Sequence, residues 1–582
     1  MSRADNHEPM VPSKVGPILL VAITLVAYLP ALRGGFIWDD QEYVVENPVL
    51  RDSAGLARIW IQPSANHELH YWPMTYSTFW VEYQFWGLRP FGYHLTNVLL
   101  HAVNAVWVWI LLRRLEVPGA WLAAAVFALH PVRVESVAWI IERKDVLSGC
   151  FFLPATLAYI HFDRTRRLSA YGLAVGLFVC AMLSKSMAIS LPVVILLLLW
   201  WNKDRLRSKD ILPLVPFFLT AVVFALLDVR LARQAETLEF SLSIPSKLLV
   251  AGRALCFYTA KVCWPASLMA IYPRWETDAG GAWAYLYPAA ALALAAILWL
   301  ARHCLGKAPV VTALFLAATL APVLGFVEFT FMKYSFVADR FAYLAAIGPA
   351  TLLVAAATGA ARRLRSAPRW LAPAAAGALV LVLGLLTWQQ SKLYRDNETF
   401  WRATVQRNPR AWAAHYNLGV ALAQTGWPPE EVIPHLLTAL QVKPGFAEAH
   451  NRLGMEEAQR ADFSAAVRHF SEALRIMPGF ADAAHNLVQA HHEWALALAG
   501  PEQLDEAIEH FHQALRLDPE RADVRYNLAV ALAQQGRLEE AIAQLDEVLR
   551  RAPGDRQARA LCEQLRAAGE TSGAEPSAPP QP

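Results

Sequence analysis

The sequence predicts an all-α protein in two parts: a polytopic membrane helix bundle of about eleven spans, then an α-solenoid of short antiparallel helices. Three observations carry this reading. Hydrophobic residues make up 56% of the 582-residue chain and charged residues 17%, a membrane-like balance. The apolar residues are concentrated between about Val15 and Gln390, whereas from Ser391 onward the text is charged and Ala-rich. After residue 410 the chain repeats itself with a period near 34 residues, as stacked helix pairs do.

Taken in order, residues 1–14 form a short N-terminus with Arg3 and Lys14, and 15–390 the membrane domain. A linking helix or half repeat occupies 391–409, four repeats 410–555, and a helical remnant with a Gly/Ser/Pro-rich, disordered tail 556–582. A bilayer crossing takes about 20 apolar residues. Apolar runs fall at 15–33, 95–112, 118–130, 146–162, 169–184, 187–201, 211–228, 282–301, 308–327, 340–360 and 370–389. No small-residue cleavage site follows the first run, so it reads as a retained span.

Every second connection is short and basic: Arg113-Arg114, Arg164/Arg166/Arg167, Lys203/Arg205/Arg207/Lys209, Arg302/Lys307 and Arg362/Arg363/Arg365/Arg369. The positive-inside rule makes these cytoplasmic, puts the N-terminus with them and places the repeats outside. The run Lys247–Cys263 carries Arg253 and Lys261 and reads as interfacial or re-entrant. If it crosses, twelve spans result and the repeats become cytoplasmic. The outer loops then hold Asp39, Asp40, Glu135, Arg143, Lys144, Asp145, Lys185, Lys333, Asp339 and Arg340, ionisable groups at membrane entrances that are costly and often functional.

In the repeats, HYNLG at His415, HNRLG at His450, HNLVQ at His485 and YNLAV at Tyr526 align. Their asparagines are spaced by 34, 35 and 41 residues, and the prolines Pro444, Pro478, Pro519 and Pro553 by 34, 41 and 34. This is the tetratricopeptide signature. Leu453, Gly454, Ala466, Phe470, Ala473 and Pro478 take the packing positions in the second repeat. A seven-residue insertion near Trp494–Gln503 of the third repeat is expected to lengthen its inter-helix turn. Asn417, Asn451, Asn486 and Asn527 share one position on successive first helices. They read either as an amide ladder that binds an extended acceptor peptide in the concave groove or as ordinary surface asparagines kept by repeat ancestry.

The pair Asp39-Asp40 directly follows the first span, in FIWDDQEYVVEN. A carboxylate at the membrane surface can serve as base toward an acceptor hydroxyl, and nearby Arg and Lys can hold a departing phosphate. The six cysteines form no CxxC pair, and His94, His101 and His130 have no metal-ligand spacing; His101 reads as a hydrogen-bonded packing residue. No metal site is assigned and no cofactor is fixed by the sequence, a divalent metal being left open. No nucleic-acid patch stands out. Many of the 21 tryptophans lie at span ends, as interface belts require.

FIWDDQEYVVENPVL, YWPMTYSTFW at Tyr71, GLRPFGYHLTNVLLH at Gly87, HPVRVESVAWIIERKDVLSG at His130, YSFVADRFAYL at Tyr334 and the repeats occur in one order. Together they resemble the transmembrane and tetratricopeptide repeat-containing family of protein O-mannosyltransferases, whose membrane part is similar to the GT-C glycosyltransferases. The resemblance covers nearly the whole chain. It implies a polyprenyl-phosphate sugar donor, mannose among the sugars, an inverting displacement, and Asp39 and Asp40 in the catalytic acidic motif, with either as base. It also implies that Arg143, Lys144 and Arg340 bind the donor phosphate; Lys185 is added from its depth. Trp72 departs from the Arg of animal members, and four repeats are few, as in a bacterial relative of the inner membrane. The rival readings are a non-catalytic membrane-anchored repeat scaffold and a transporter. The transporter is disfavoured because no Gly/Pro-broken helix pair recurs in two halves.

Overall fold

A computed structural model describes residues 14–62, 70–203, 205–235, 241–277, 281–363 and 368–572. Among these, all regular structure is helical. The N-terminus before Lys14, the loop residue Arg365 and the tail after Ser572 lie outside the described residues. A helix runs over Arg556–Ser572, so the part of the expected disordered tail from Ala567 to Ser572 is helical. The chain divides into two compact units, 1–411 and 412–582.

In the first unit, each expected span coincides with an apolar helix. Five are long and apolar enough to cross a membrane: Pro90–Arg114, Arg143–Thr165, Ser208–Leu231, Trp283–Leu305 and Leu371–Tyr394. Two more become seven in total if bent pairs count as single spans: Ala120–Leu129 with Pro131–Ala138, bent by 52°, and Asp339–Ala345 with Ile347–Arg363, bent by 58°. Gly16–Ala27, Leu168–Ser184, Ser186–Asn202 and Ala308–Val323 are apolar but shorter. The count of eleven is therefore not supported by helix length. Apolar composition marks where a helix lies, but capping and proline set where it stops.

Two bent pairs thus occur among the described residues. Proline explains both. Pro131 cannot donate to the carbonyl four residues earlier, and His130 before it is extended, as the residue preceding proline prefers. Pro349 leaves the Ala345 carbonyl without its helical partner in the same way. Each bend delivers ionisable residues: Glu135 from the first, Asp339 and Arg340 from the second.

Many buried polar groups in this unit are paired, as hydrocarbon favours; Arg133 is an exception, fully buried with Nε and Nη1 lacking hydrogen-bond partners and its guanidinium 4.1 Å over the Phe127 ring. His101 is fully buried between the Tyr343 hydroxyl at 2.9 Å and the Ala128 carbonyl at 3.0 Å, the packing role read for it. Asn104 donates to the Val146 carbonyl at 2.7 Å, and Asn97 to that of Trp139 at 3.1 Å. The helix Asn397–Arg407 also belongs here. It is capped by Asp396, whose carboxylate accepts from the Thr399 N–H at 2.8 Å, and it buries Phe400 and Trp401.

In the second unit four helix pairs follow one another: Trp412–Gln424 with Pro429–Val442, Ala447–Gln459 with Phe463–Ile476, Ala481–Leu498 with Leu504–Leu517, and Ala522–Gln534 with Leu538–Arg551. Small residues set the approach within a pair. A Cβ on Gly454 would come within 2.7 Å of the Phe470 ring. The insertion in the third repeat does not mainly lengthen the turn. It lengthens the first helix, which has 18 residues where the other three have 13, because HEWALAL continues the helical pattern without a breaker.

Candidate active site

The Asp39-Asp40 turn is held from three directions. Trp38 adopts a left-handed backbone conformation, φ 47°, uncommon for a bulky residue and found where surroundings over-determine it. Its N–H donates to Asn397 Oδ1 at 2.8 Å. Its ring stacks on Trp139, centroids 4.9 Å apart and 6° from parallel, and meets Trp401 edge-on at 4.8 Å. The Gly35 N–H donates to the Arg395 carbonyl at 2.8 Å.

The two carboxylates differ. Asp40 is fully buried. Its Oδ2 accepts from the Ile37 N–H at 3.0 Å and its Oδ1 from the Ile141 N–H at 2.8 Å, so it ties the turn to the segment before Glu142. Burial raises its pKa well above the usual carboxylate range, against the pull of those two N–H bonds and with help from Asp39 and Glu142. Asp39 is only half-buried and lies within electrostatic reach of Arg340.

The four expected phosphate ligands separate into two places. Lys144, Lys185 and Arg340 converge on one carboxylate, Glu142, at 3.6, 3.2 and 3.4 Å. Burial alone would raise the Glu142 pKa, but the charges of Lys144, Lys185 and Arg340 hold it below the carboxylate range. Lys185 also donates to Asp145 at 2.7 Å. Arg340 binds Glu135 through its N–H at 2.9 Å and its guanidinium at 2.5 Å, and it lies over the Phe331 ring at 4.1 Å. Lys144 lies 4.8 Å from the centre of the Trp72 ring. Three cations thus meet three carboxylates, Glu142, Asp145 and Glu135, in a network that is buried except at the half-buried Lys144.

Arg143 points elsewhere. It is fully buried, donates to Glu82 at 2.7 Å, Thr78 at 3.2 Å and the Tyr93 carbonyl at 2.8 Å, also binds Asn97, and covers Phe79. Its donors are taken up by structure. Sequence reasoning passed over Glu142, although the run Glu142-Arg143-Lys144-Asp145 inside apolar text was the available signal. Among the described residues no group of three or more His, Cys, Asp or Glu is placed to hold a metal ion.

The four asparagines of the repeats are all half-buried. Asn486 donates to Asn451 at 3.0 Å, so two rungs of the expected ladder bond each other. Asn527 instead meets His492 at 2.8 Å.

Known proteins resemble this chain over both units. Tetratricopeptide repeat models match residues 381–445 and 498–565. "Protein O-mannosyl-transferase Tmtc1" of Drosophila melanogaster is 33% identical over 179 residues, 29% of this chain and 21% of that protein. "Protein O-mannosyl-transferase TMTC3" of Homo sapiens is 32% identical over 149 residues, 24% of this chain and 16% of that protein. "Protein O-mannosyl-transferase Tmtc3" of Drosophila melanogaster is 24% identical over 521 residues, 74% of this chain and 55% of that protein. The matched segments thus span about a sixth to about a half of these relatives' lengths. A solved structure described as "YrrB: a TPR protein with an unusual peptide-binding site" aligns with 28% of this chain and 81% of its own, at 20% identity and TM-score 0.23.

Proposed function

We propose that this homologue of the protein O-mannosyl-transferases is an integral-membrane, GT-C-type inverting glycosyltransferase. It moves a sugar, mannose by kinship, from a polyprenyl-phosphate donor to a hydroxyl of a protein or glycan. The observation that carries the reading is the convergence of Lys144, Lys185 and Arg340 on Glu142 beside the Asp39 turn. Such a cation cluster suits a departing phosphate. Asp39, the less buried acid, takes the proton of the acceptor hydroxyl. The oxygen attacks the anomeric carbon, and the carbon–oxygen bond to phosphate breaks with its electron pair on the phosphate. Asp40 positions that turn, and Arg143 supports the fold, so the phosphate set narrows to Lys144, Lys185 and Arg340. The basic connections support a cytoplasmic N-terminus, an outer site and outer repeats, in a bacterial inner membrane if the sequence is bacterial. The repeats then hold the acceptor, with Asn417, Asn451, Asn486 and Asn527 facing it.

One observation favours the rival scaffold reading: the ion network neutralises itself, as a structural network does. The test is transfer from a polyprenyl-phosphate mannose to Ser/Thr peptides by the purified full chain in micelles. Transfer that Asp39→Asn abolishes supports the enzyme. Wild-type rates in the variant, or no transfer with any polyprenyl-phosphate sugar, reject it.

A further inference from the structure

The second unit carries a feature that peptide binding leaves unexplained. In three consecutive repeats a histidine of the first helix faces a histidine of the second, Nδ1 to Nδ1 at 3.1 Å: His415 with His435, His450 with His469, and His491 with His510. The imidazole rings lie 5.3, 5.4 and 5.3 Å apart, centre to centre. In the fourth repeat the corresponding positions hold Arg525 and Gln544, joined by an ordinary hydrogen bond at 2.9 Å.

The third pair shows that the facing geometry, and not the repeat position, goes with histidine. By repeat alignment the first-helix partner of His510 should be Ala484. The insertion of seven residues, two helical turns, moves the facing position along the lengthened helix Ala481–Leu498 by that amount, to residue 491. A histidine stands there, and Trp494 stacks on its partner His510 with centroids 3.8 Å apart.

Two imidazole nitrogens bound to one tetrahedral ion at about 2.0–2.1 Å lie roughly 3.3 Å apart. The observed separations need a change of only a few tenths of an ångström. His450 is further prepared. Its Nε2 lies 3.1 Å from the Pro444 carbonyl, which can only accept, so the proton sits on Nε2 and the Nδ1 lone pair faces His469. A backbone carbonyl on the outer nitrogen is the usual way to orient a ligating histidine. Five of the six rings are half-buried and His415 is buried, and free imidazole is mainly neutral at pH 7.

We propose that the three histidine pairs are divalent transition-metal sites of the zinc class, each bridging the two helices of one repeat. Each pair supplies two ligands and solvent completes the coordination, since no larger ligand group occurs among the described residues. Imidazole selects Zn²⁺, Cu²⁺ or Ni²⁺ over Mg²⁺ or Ca²⁺. Bound metal would staple the first three helix pairs and leave the fourth unstapled.

The test uses the untagged full chain in detergent micelles, dialysed to equilibrium against buffered free Zn²⁺, with bound metal measured by mass spectrometry. The expected result is three ions per chain, falling by one in each of His435→Gln, His469→Gln and His510→Gln and by three in the triple variant. Co²⁺ substitution should give visible ligand-field absorption that disappears in the triple variant. Far-UV circular dichroism confirms that each variant keeps its helices, and where one does not, the Co²⁺ spectrum of wild type at stepwise loading decides. Binding unchanged in the single variants, or no Co²⁺ absorption in wild type, overturns the proposal in favour of plain hydrogen-bonded pairs.

Discussion

The N–H of Ile141 donates to Oδ1 of Asp40 across 2.8 Å, joining two segments 101 residues apart in the chain. This bond separates the roles of the two acids. Asp40 spends both oxygens on backbone donors, whereas Asp39 lies within electrostatic reach of Arg340. Replacing Asp39 by Asn should lower kcat by about a hundredfold or more, the worth of a general base, with the melting temperature unchanged. Replacing Asp40 by Asn should cost about 1–3 kcal/mol of stability, because one buried N–H loses its acceptor. Thermal shift and transfer assays on both variants distinguish the two.

The buried Asp40 also sets a pH dependence. Its folded pKa lies above the unfolded value of about 3.9. Its contribution to stability is therefore fully present below the unfolded pKa and lost as pH rises through the raised folded pKa. Melting curves from the ordinary carboxylate range upward should show wild type losing stability relative to Asp40→Asn, which has no proton to release. Parallel curves would refute this.

Glu142 occupies the place where the proposal seats the donor phosphate. Glu142→Gln should leave Lys144, Lys185 and Arg340 facing one another, lowering the melting temperature of the ligand-free protein. Added polyprenyl phosphate should restore it more than in wild type. The donor KM should fall by up to about tenfold, equivalent to about 1.4 kcal/mol of relieved competition.

Arg143 should behave as structure. Arg143→Met leaves Glu82 buried without its cation, at a cost of about 3–5 kcal/mol. The protein that remains folded should keep the wild-type donor KM, whereas Lys185→Ala should raise it. A raised KM in the Arg143 variant would return this residue to the phosphate site.

In the repeats, Gly454→Ala should destabilise by about 1–3 kcal/mol, since the new methyl meets Phe470 at 2.7–2.9 Å. Gly445→Ala, with nothing within 4 Å of its Cβ, is the control and should be neutral or slightly stabilising. Circular dichroism melts of the two variants provide the comparison.

Much of the fold was legible because its signals are local. Apolar runs announce helices, and a 34-residue period with small residues at fixed offsets announces stacked pairs, before any contact is known. Span count was less legible. Pro131 and Pro349 bend helices that composition alone reads as straight, and the third repeat's insertion was taken up as helix. The site was half legible. Lys144, Lys185 and Arg340 do gather, but Arg143, one residue from Lys144, projects to Glu82 instead, because successive residues of a helix face directions about 100° apart.

The sequence by itself determined the class of the protein: helical, rich in apolar spans, ending in a repeat solenoid, and carrying an acidic pair after its first apolar helix. These follow from hydropathy and period, which each stretch of chain expresses alone. Only the tertiary structure decided which acid is buried, which cations share Glu142, and which histidines meet. Burial and pairing depend on groups brought together from distant parts of the chain, as Arg340 is brought to Glu135 across 205 positions. In a medium too apolar to solvate them, charged groups are held in place by the partners they find.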